Sequence, residues 1–589
     1  MKRKTFLSLL LAAVMFLSLA PITALAAGTT NVWVDNTLLT DGENSVGDGT
    51  ATLNKEAGTL TLENIQASKF VQVLTDDTFT VVVKGNVSIG SAAARTSGTA
   101  LYSTAAALKI QIEQGAELSM YTENGNNVYV YGGSLTISGP GTLTADAIEG
   151  DSGAFPSLVA TKDITLNGGL VAELVSEWHG AFSEKGNIVV DSADLTVYAD
   201  SVGLFAQTYD EGANAEIPSS ITLKDSHVAI TSYYGDAAAF CGTGGLVVEN
   251  SVLDLTADKD SEWGGYGLYS EGDIVIRGEK TEIDSDDAFG IEAGDTLYIE
   301  GGQVRLASTE TALLGWNGVV ITGGTIDATS EIGSAIIGRD GPVSITGAGT
   351  SVTATAKGDD AAIRNANDGG IFLAAPVTAV NTQGGKPFLG VNADKSVAIT
   401  LGEGYDLFGA EVYTDATGAQ SQSYFIPAGG SADEPLTSAV LCKHVWNSPE
   451  WTWAEDYSEA TATFVCENDP SHTVTVTAAV TEQTTAATCG KDGSTVYTAS
   501  AELDGTNYGS QKTVVIPATG AHKYEDGKCT VCGAADPEYK PEDPVVDPGN
   551  SDNPDTGDYR SFALWSILTL LAGAALTGAA LVAGRQKTR

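Results

Sequence analysis

Between Leu60 and about Leu407 the chain repeats one short pattern: a run alternating apolar and polar residues, a Gly or Asn corner, then a second alternating run. It is plain in Ile164-Thr-Leu-Asn-Gly-Gly-Leu-Val-Ala and in Ile188-Val-Val-Asp-Ser-Ala-Asp-Leu-Thr-Val. It returns in Leu246-Val-Val-Glu-Asn-Ser-Val-Leu-Asp-Leu, Leu297-Tyr-Ile-Glu-Gly-Gly-Gln-Val-Arg-Leu and Val319-Val-Ile-Thr-Gly-Gly-Thr-Ile-Asp-Ala. Successive copies from Ile164 to Val397 begin 22 to 33 residues apart. A third small apolar segment falls between copies, such as Gly203-Leu-Phe, Gly267-Leu-Tyr, Gly290-Ile-Glu or Ala335-Ile-Ile. Period-2 alternation predicts strands with one buried side. Three such segments per repeat, at a period in the twenties, predict a solenoid of stacked parallel strands.

The expected fold class is therefore all-β, a right-handed parallel β-helix over residues 60–440 with about 14 coils. Leucine-rich repeats share the period, but their Leu/Asn signature is absent and no 3.6-residue periodicity appears. A lone coil cannot bury its apolar side, whereas a stack can. Bare strand edges recruit other chains, so both ends of the stack need covers. Residues 27–59, with Asn31-Val-Trp-Val and Thr50-Ala-Thr-Leu, are expected to form an N-terminal β cap. Tyr413 to Leu441 is expected to close the other end.

Both termini depart from this texture. Lys2, Arg3 and Lys4 precede an apolar run from Phe6 to Ala20, and Ala24-Leu25-Ala26 offers a cleavage site. Residues 1–26 thus read as a secretory signal peptide. At the other end Asn553, Pro554, Asp555, Thr556 and Gly557 precede 24 uncharged residues, Ser561 to Gly584, and then Arg585, Lys587 and Arg589. A helix of that length would span about 36 Å, enough to cross a bilayer, with its basic tail on the cytoplasmic side. This order resembles the cell-wall sorting signal that sortases read on Gram-positive surface proteins. The resemblance implies cleavage between Thr556 and Gly557 and transfer of the Thr556 carbonyl to a peptidoglycan amine. The first motif residue is Asn where Leu is commoner. Residues 537–556 would be a Pro/Asp-rich wall spacer carrying the motif. Residues 557–589 would hold a transmembrane helix and tail, the chain's one membrane contact, before sorting.

Charge narrows the partners. The chain has 30 basic and 75 acidic residues, net −45, and loss of both termini would remove more bases than acids. Such a field repels nucleic acid and anionic membrane. Neutral glycans, divalent cations or a solubilising role remain open.

Two chemistries suggest themselves on the solenoid. Ser285-Asp286-Asp287-Ala-Phe-Gly resembles the paired aspartates of β-helical polygalacturonases, which implies general acid and base roles for Asp286 and Asp287 in glycoside hydrolysis. No Gly-His-Gly or Arg-Ile-Lys accompanies them, and a solvated turn, as at Asp76-Asp77 and Asp359-Asp360, is the other reading of the pair. The arginines that lyase chemistry of the pectate-lyase type would need are scattered through separate coils. The other chemistry is binding. Aligned on one corner, Trp178, Tyr233, Tyr234 and Trp263 fall at comparable positions, with Trp316 slightly further round its own coil. Rings beside carboxylates suit sugars, whose C–H faces stack on π surfaces; filling of local core gaps is the other role open to them. The Gly-Gly corners and Asp-rich turns resemble β-helical carbohydrate-binding surface proteins. Calcium at those turns is a further option, although no EF-hand-like ligand loop is present.

Five of the six cysteines lie past residue 440. Cys442, His444, Cys466 and His472 form one four-ligand set; Cys489, His522, Cys529 and Cys532 form another. Five cysteines cannot all pair within one chain, whereas two tetrahedral zinc sites would use every one. Export would favour disulfides with a leftover thiol, and unliganded side chains are a third state. Cys241, in Ala-Ala-Ala-Phe-Cys-Gly, reads as a small core residue. Residues 441–480 and 481–536 resemble stalk modules of Gram-positive surface proteins, whose role is spacing and rigidity.

The expected whole is a secreted protein anchored to the cell wall. Its solenoid would act as a non-catalytic adhesin for a glycan or cell-surface ligand, with sortase and peptidoglycan as further partners. A lyase or glycoside hydrolase acting on acidic polysaccharide, and a structural spacer, are the alternatives.

Overall fold

The computed structural model describes residues 30–542, apart from 149–152, 211, 235 and 260–263. The expected leader, sorting motif and membrane helix lie outside the described residues, as does Trp263. Every regular element described is a strand. The chain divides into two bodies, one running to residue 450 together with 462–475, the other comprising 451–461 and 476 onward.

The first body is a β-solenoid of about 13 turns. One turn comprises the strands Ala181–Ser183, Ile188–Asp191 and Asp194–Ala199. Each pairs in parallel with its counterpart one turn on: Ala181 with Leu204, Ile188 with Ile221, Asp194 with His227. Three parallel ladders result, called here the first, second and third in that order. Side chains alternate along each strand, so Ile188 and Val190, then Leu195 and Val197, point inward. The inward residues form one continuous core from Val32 to Leu441. Glycine opens many first-ladder strands for lack of room. A Cβ at Gly203 would lie 2.2 Å from the Ile230 side chain of the next turn.

The ends are covered by antiparallel strands. Gly42–Val46, Gly49–Asn54 and Thr59–Glu63 form a meander whose last strand pairs in parallel with Thr78–Lys84. At the far end Ser438–Lys443 lies antiparallel on Val377–Asn381, and Ser421–Pro427 on Phe388–Asn392. These covers leave about 13 turns, against the 14 coils expected. In the second body, Gly493–Leu503 pairs antiparallel with Thr506–Ile516 and with residues 479–485.

The outward side of the first ladder carries a stack of aromatic rings. Phe182, Phe205, Phe240 and Tyr269 share one register position on successive turns. Their centroids are 5.3, 5.4 and 4.6 Å apart in sequence. Such pairs contribute about 0.5–1.5 kcal/mol beyond the area they bury, so the stack clamps turn to turn from outside. Phe205→Ala removes two of these contacts and should destabilise the solenoid by about 2–3 kcal/mol, less than a fully buried Phe. Phe372, an outward residue of the second ladder, should cost far less as Ala. A comparison of urea midpoints checks this.

Candidate functional site

The outer side of the third ladder is built differently. One register position reads Thr231, Thr256, Asp286, Ala307, Thr329 on successive turns. The position two residues before it reads Asp254, Asp284, Arg305, Asp327 from the second of those turns onward. Apart from Asp286 the first column holds only Thr and Ala, and with the charged second column beside it a trough lies along the ladder. Its main cavity, of about 420 Å³, has Asp254, Asp284, Asp286, Arg305 and Asp327 around Thr256, Ala307 and Thr329. A second, of about 370 Å³, adjoins it through Thr256 and Asp286 and is bounded by Tyr233 and Lys259.

Stacking like charges at a spacing of about 4.8 Å is unfavourable, and the groove offsets this by interleaving cations. Arg305 Nη1 lies 3.2 Å from each oxygen of Asp284. Lys259 pairs with Asp286. The His227 ring sits between Asp194 at 2.9 Å and Asp254 at 3.3 Å. The hydrogen bond to Asp194, aided by that to Asp254, holds the imidazole pKa above its ordinary value against partial burial. These exposed pairs add little stability. Their effect is to fix carboxylate oxygens as acceptors and a guanidinium as donor along an open trough.

The aspartate pair does not act as a pair. Asp286 and Asp287 end the strand Glu282–Asp287 rather than forming a corner, and alternation sends them to opposite sides. Asp286 faces the groove. Asp287 is fully buried and takes hydrogen bonds from Ser285 and, at 3.1 Å, from Ser308. The acid and base roles that the resemblance implied are not brought together, because the two carboxyls open on different media.

Among the described residues of the predicted ridge, the neighbouring Tyr233 and Tyr234 stand together on the surface and Trp178 does not join them. Tyr233 and Tyr234 are 50% and 78% exposed, and Tyr233 bounds the groove. Trp178 occupies the corner of Tyr234 two turns away, with Ser201 between them in register. Its ring lies stacked on His179 at 4.5 Å, half-buried in the first-ladder aromatics. Trp316 is clamped between a hydrogen bond to Glu292 (2.9 Å) and the Arg339 guanidinium at 3.7 Å from its ring. The third segment of each repeat carried the signal of the first-ladder stack. Its last residue is Phe205 in Gly203-Leu-Phe and Tyr269 in Gly267-Leu-Tyr. The groove had no such signal, because its floor consists of small residues.

Both Cys/His sets converge. In each, four ligand atoms lie within 4.8 Å of one another. In the first, His444 Nε2 and His472 Nδ1 are 3.1 Å apart. Their outer nitrogens face Asp406 at 3.4 Å and Asp469 at 3.5 Å. A carboxylate on the outer nitrogen fixes the tautomer that leaves the inner lone pair free for a metal. Burial raises the Cys466 thiol pKa, but amide N–H groups of Val445, Asp469 and Asn468 pull it below the usual range. In the second set, Cys489 Sγ is 3.3 Å from Cys529 Sγ, and Cys532 Sγ is 3.4 Å from His522 Nδ1. The amides of Cys532 and Val531 hold the Cys529 thiol low. Burial pushes the Cys442 thiol up to about 11, and hydrogen bonds with Cys532 and Cys529 push that of Cys489 up to about 11. Four thiol and imidazole ligands to a set, with the thiols deprotonated on binding, fit tetrahedral zinc. Cys241 is buried in the solenoid, and burial pushes its thiol up to about 11, as befits an inert core residue.

Residues 248–424 match the model of a family described as carbohydrate-binding domain-containing protein. No curated protein and no solved structure matches the chain.

Asp287 yields a pH test. Burial raises its carboxyl to about 7, against the Ser285 and Ser308 hydrogen bonds. The folded chain thus binds this proton more tightly than the unfolded chain. Its contribution is favourable in acid and is lost as pH rises from about 4 through about 7. Asp287→Asn should therefore raise unfolding stability at pH 8, by roughly 2–4 kcal/mol, and change it little at pH 4. Urea titrations at both pH values measure the difference.

Proposed function

We propose that the solenoid binds carbohydrate without catalysis, along the third-ladder groove, and that the chain is exported and fixed to a Gram-positive cell wall. The observation that carries the binding reading is one of position. The residues of the groove's main cavity, from Asp254 to Thr329, fall inside the segment 248–424 that matches the carbohydrate-binding family, while Tyr233 of the adjoining cavity lies just before it. The chemistry suits the ligand. Carboxylates and a guanidinium spaced along a trough pair with sugar hydroxyls, and the exposed Tyr233 ring offers a face at one end. The excess of acid on the chain disfavours polyanionic glycans, so the preferred ligand is neutral.

Anchoring rests on the sequence of the two ends. The leader at 1–26 directs export. The motif Asn553 to Gly557, with the apolar run and basic tail behind it, supplies the sortase substrate, and peptidoglycan is the acceptor. The Cys/His modules form the stem, each holding a structural zinc ion. Imidazole nitrogens converge with the thiols in both sets, which a disulfide would not require.

On a glycan array the full chain should retain neutral oligosaccharides. Calorimetry should then show Tyr233→Ala and Asp284→Asn weakening the best ligand about tenfold or more, that is by about 1.4 kcal/mol or more. Phe205→Ala should leave affinity unchanged. A blank array would leave the spacer reading in its place. For the anchor, mass spectrometry of wall-released protein should find Thr556 as the C-terminal residue. An uncut chain recovered from the cell interior would refute it.

A further inference from the structure

We infer that the first Cys/His set, loaded with a zinc-type divalent ion, locks the solenoid's C-terminal opening, whereas the second set serves only its own body. The inference rests on the metal reading above and concerns what the ion does for the fold.

The last turn of the third ladder, Val377–Asn381, is covered on its open side by Ser438–Lys443. That covering strand has a weak apolar hold. Only Ala439 and Leu441 turn into the core from its first four residues, while Val440 is 49% exposed. Cys442 belongs to the same strand and pairs with Asp406, the residue that also faces His444. His444 N–H donates to the Gly404 carbonyl at 3.2 Å. Leu407, next along, is buried in the solenoid core, and Phe408 stacks on His472 at 4.6 Å. From the other side, Asn468 Nδ2 donates to the Lys443 carbonyl at 2.6 Å, and Glu467 N–H to that of Val445 at 2.7 Å.

The four ligands thus tie the covering strand to the 466–472 segment at the place where both meet the end of the core. Beside the Phe408 and Trp446 rings, two thiols and two imidazoles meet there, so an ion held by all four would add metal–ligand bonds to the join. Structural zinc supplies folding free energy outright, and here it would be spent on an exposed strand edge. Cys489, His522, Cys529 and Cys532 all lie in the second body, and none sits in a solenoid strand.

Hydrogen exchange on the full chain, with zinc as the only added metal, tests this. Cys442→Ser and Cys529→Ser should each bind one ion fewer than the parent. Chelation of the parent, or Cys442→Ser, should speed exchange in Val377–Asn381 and Ser438–Lys443 at least tenfold while leaving Ile188–Asp191 unchanged. Cys529→Ser should leave all three segments as in the parent. Loss of the ion with the end segments still protected overturns the inference and leaves the metal reading standing. A parent chain that binds no zinc overturns both. Should Cys442→Ser fail to fold, chelation of the folded parent decides alone.

Discussion

The fold depends on register between turns. A single turn contributes a handful of inward residues, such as Ile188, Val190, Leu195 and Val197, and cannot hide them from water by itself. Parallel pairing of each strand with its equivalent one turn away supplies the missing neighbours, and it does so by placing like positions above like. Whatever residue type stands at a position is therefore repeated at about 4.8 Å intervals along that ladder. Core, clamp and groove are all columns of this kind.

Division of labour between the ladders follows. The first ladder's strands are short, three residues in Ala181–Ser183 and Leu204–Ala206, and offer one outward side chain each. An aromatic ring there reaches its neighbours above and below, so the column becomes a clamp. The third ladder's strands run to six residues in His227–Ser232, Val252–Ala257 and Glu282–Asp287 and offer three outward columns. Width is what a trough requires: a floor of Thr256, Ala307 and Thr329 beside a wall of Asp284, Arg305 and Asp327. The groove presents hydrogen-bonding groups. The binding role proposed above is assigned to the ladder with room for it.

The strands were legible in the sequence because alternation is local. Ile164–Asn167 and Ile188–Asp191 stand where the pattern put them. What depends on pairing across turns was less legible. Asp287 read as part of a turn because a polar residue breaks the alternation. The same inward corner takes polar side chains repeatedly, at Thr122, Ser176 and Asn381, whose side chains cap carbonyls of the adjoining loops. Trp178 and Tyr234 align at one corner, yet the intervening turn supplies Ser201 instead of a ring. The groove was not legible as a site, since its floor of Thr256, Ala307 and Thr329 draws no notice until register sets it beside Asp284 and Arg305. The Cys/His sets were legible as inventory, because eight ligands in two groups leave few assignments. That the first set abuts the end of the core was not.

Charge shows how far the column rule reaches. An acidic chain built of stacked equivalents would set carboxylate above carboxylate along every polar column. Arg364 pairs with Asp360 of its own turn, but four other bases answer by pairing across turns: Lys185 with Asp210, Arg277 with Glu249, Arg305 with Asp284, Lys357 with Glu331. Each sits on a turn adjacent to its partner, where one cation relieves a column rather than a single residue. Individually such exposed pairs are worth little, so their value lies in placement. The interleaved series runs from Asp194 through His227 and Asp254 to Asp284 and Arg305, and from Asp254 onward the surface is also concave. A site that neutralises its own repulsion while keeping acceptors and donors open to solvent is suited to an uncharged, hydroxyl-rich chain. Aligned acceptors on a rigid frame reward a ligand that is itself repetitive.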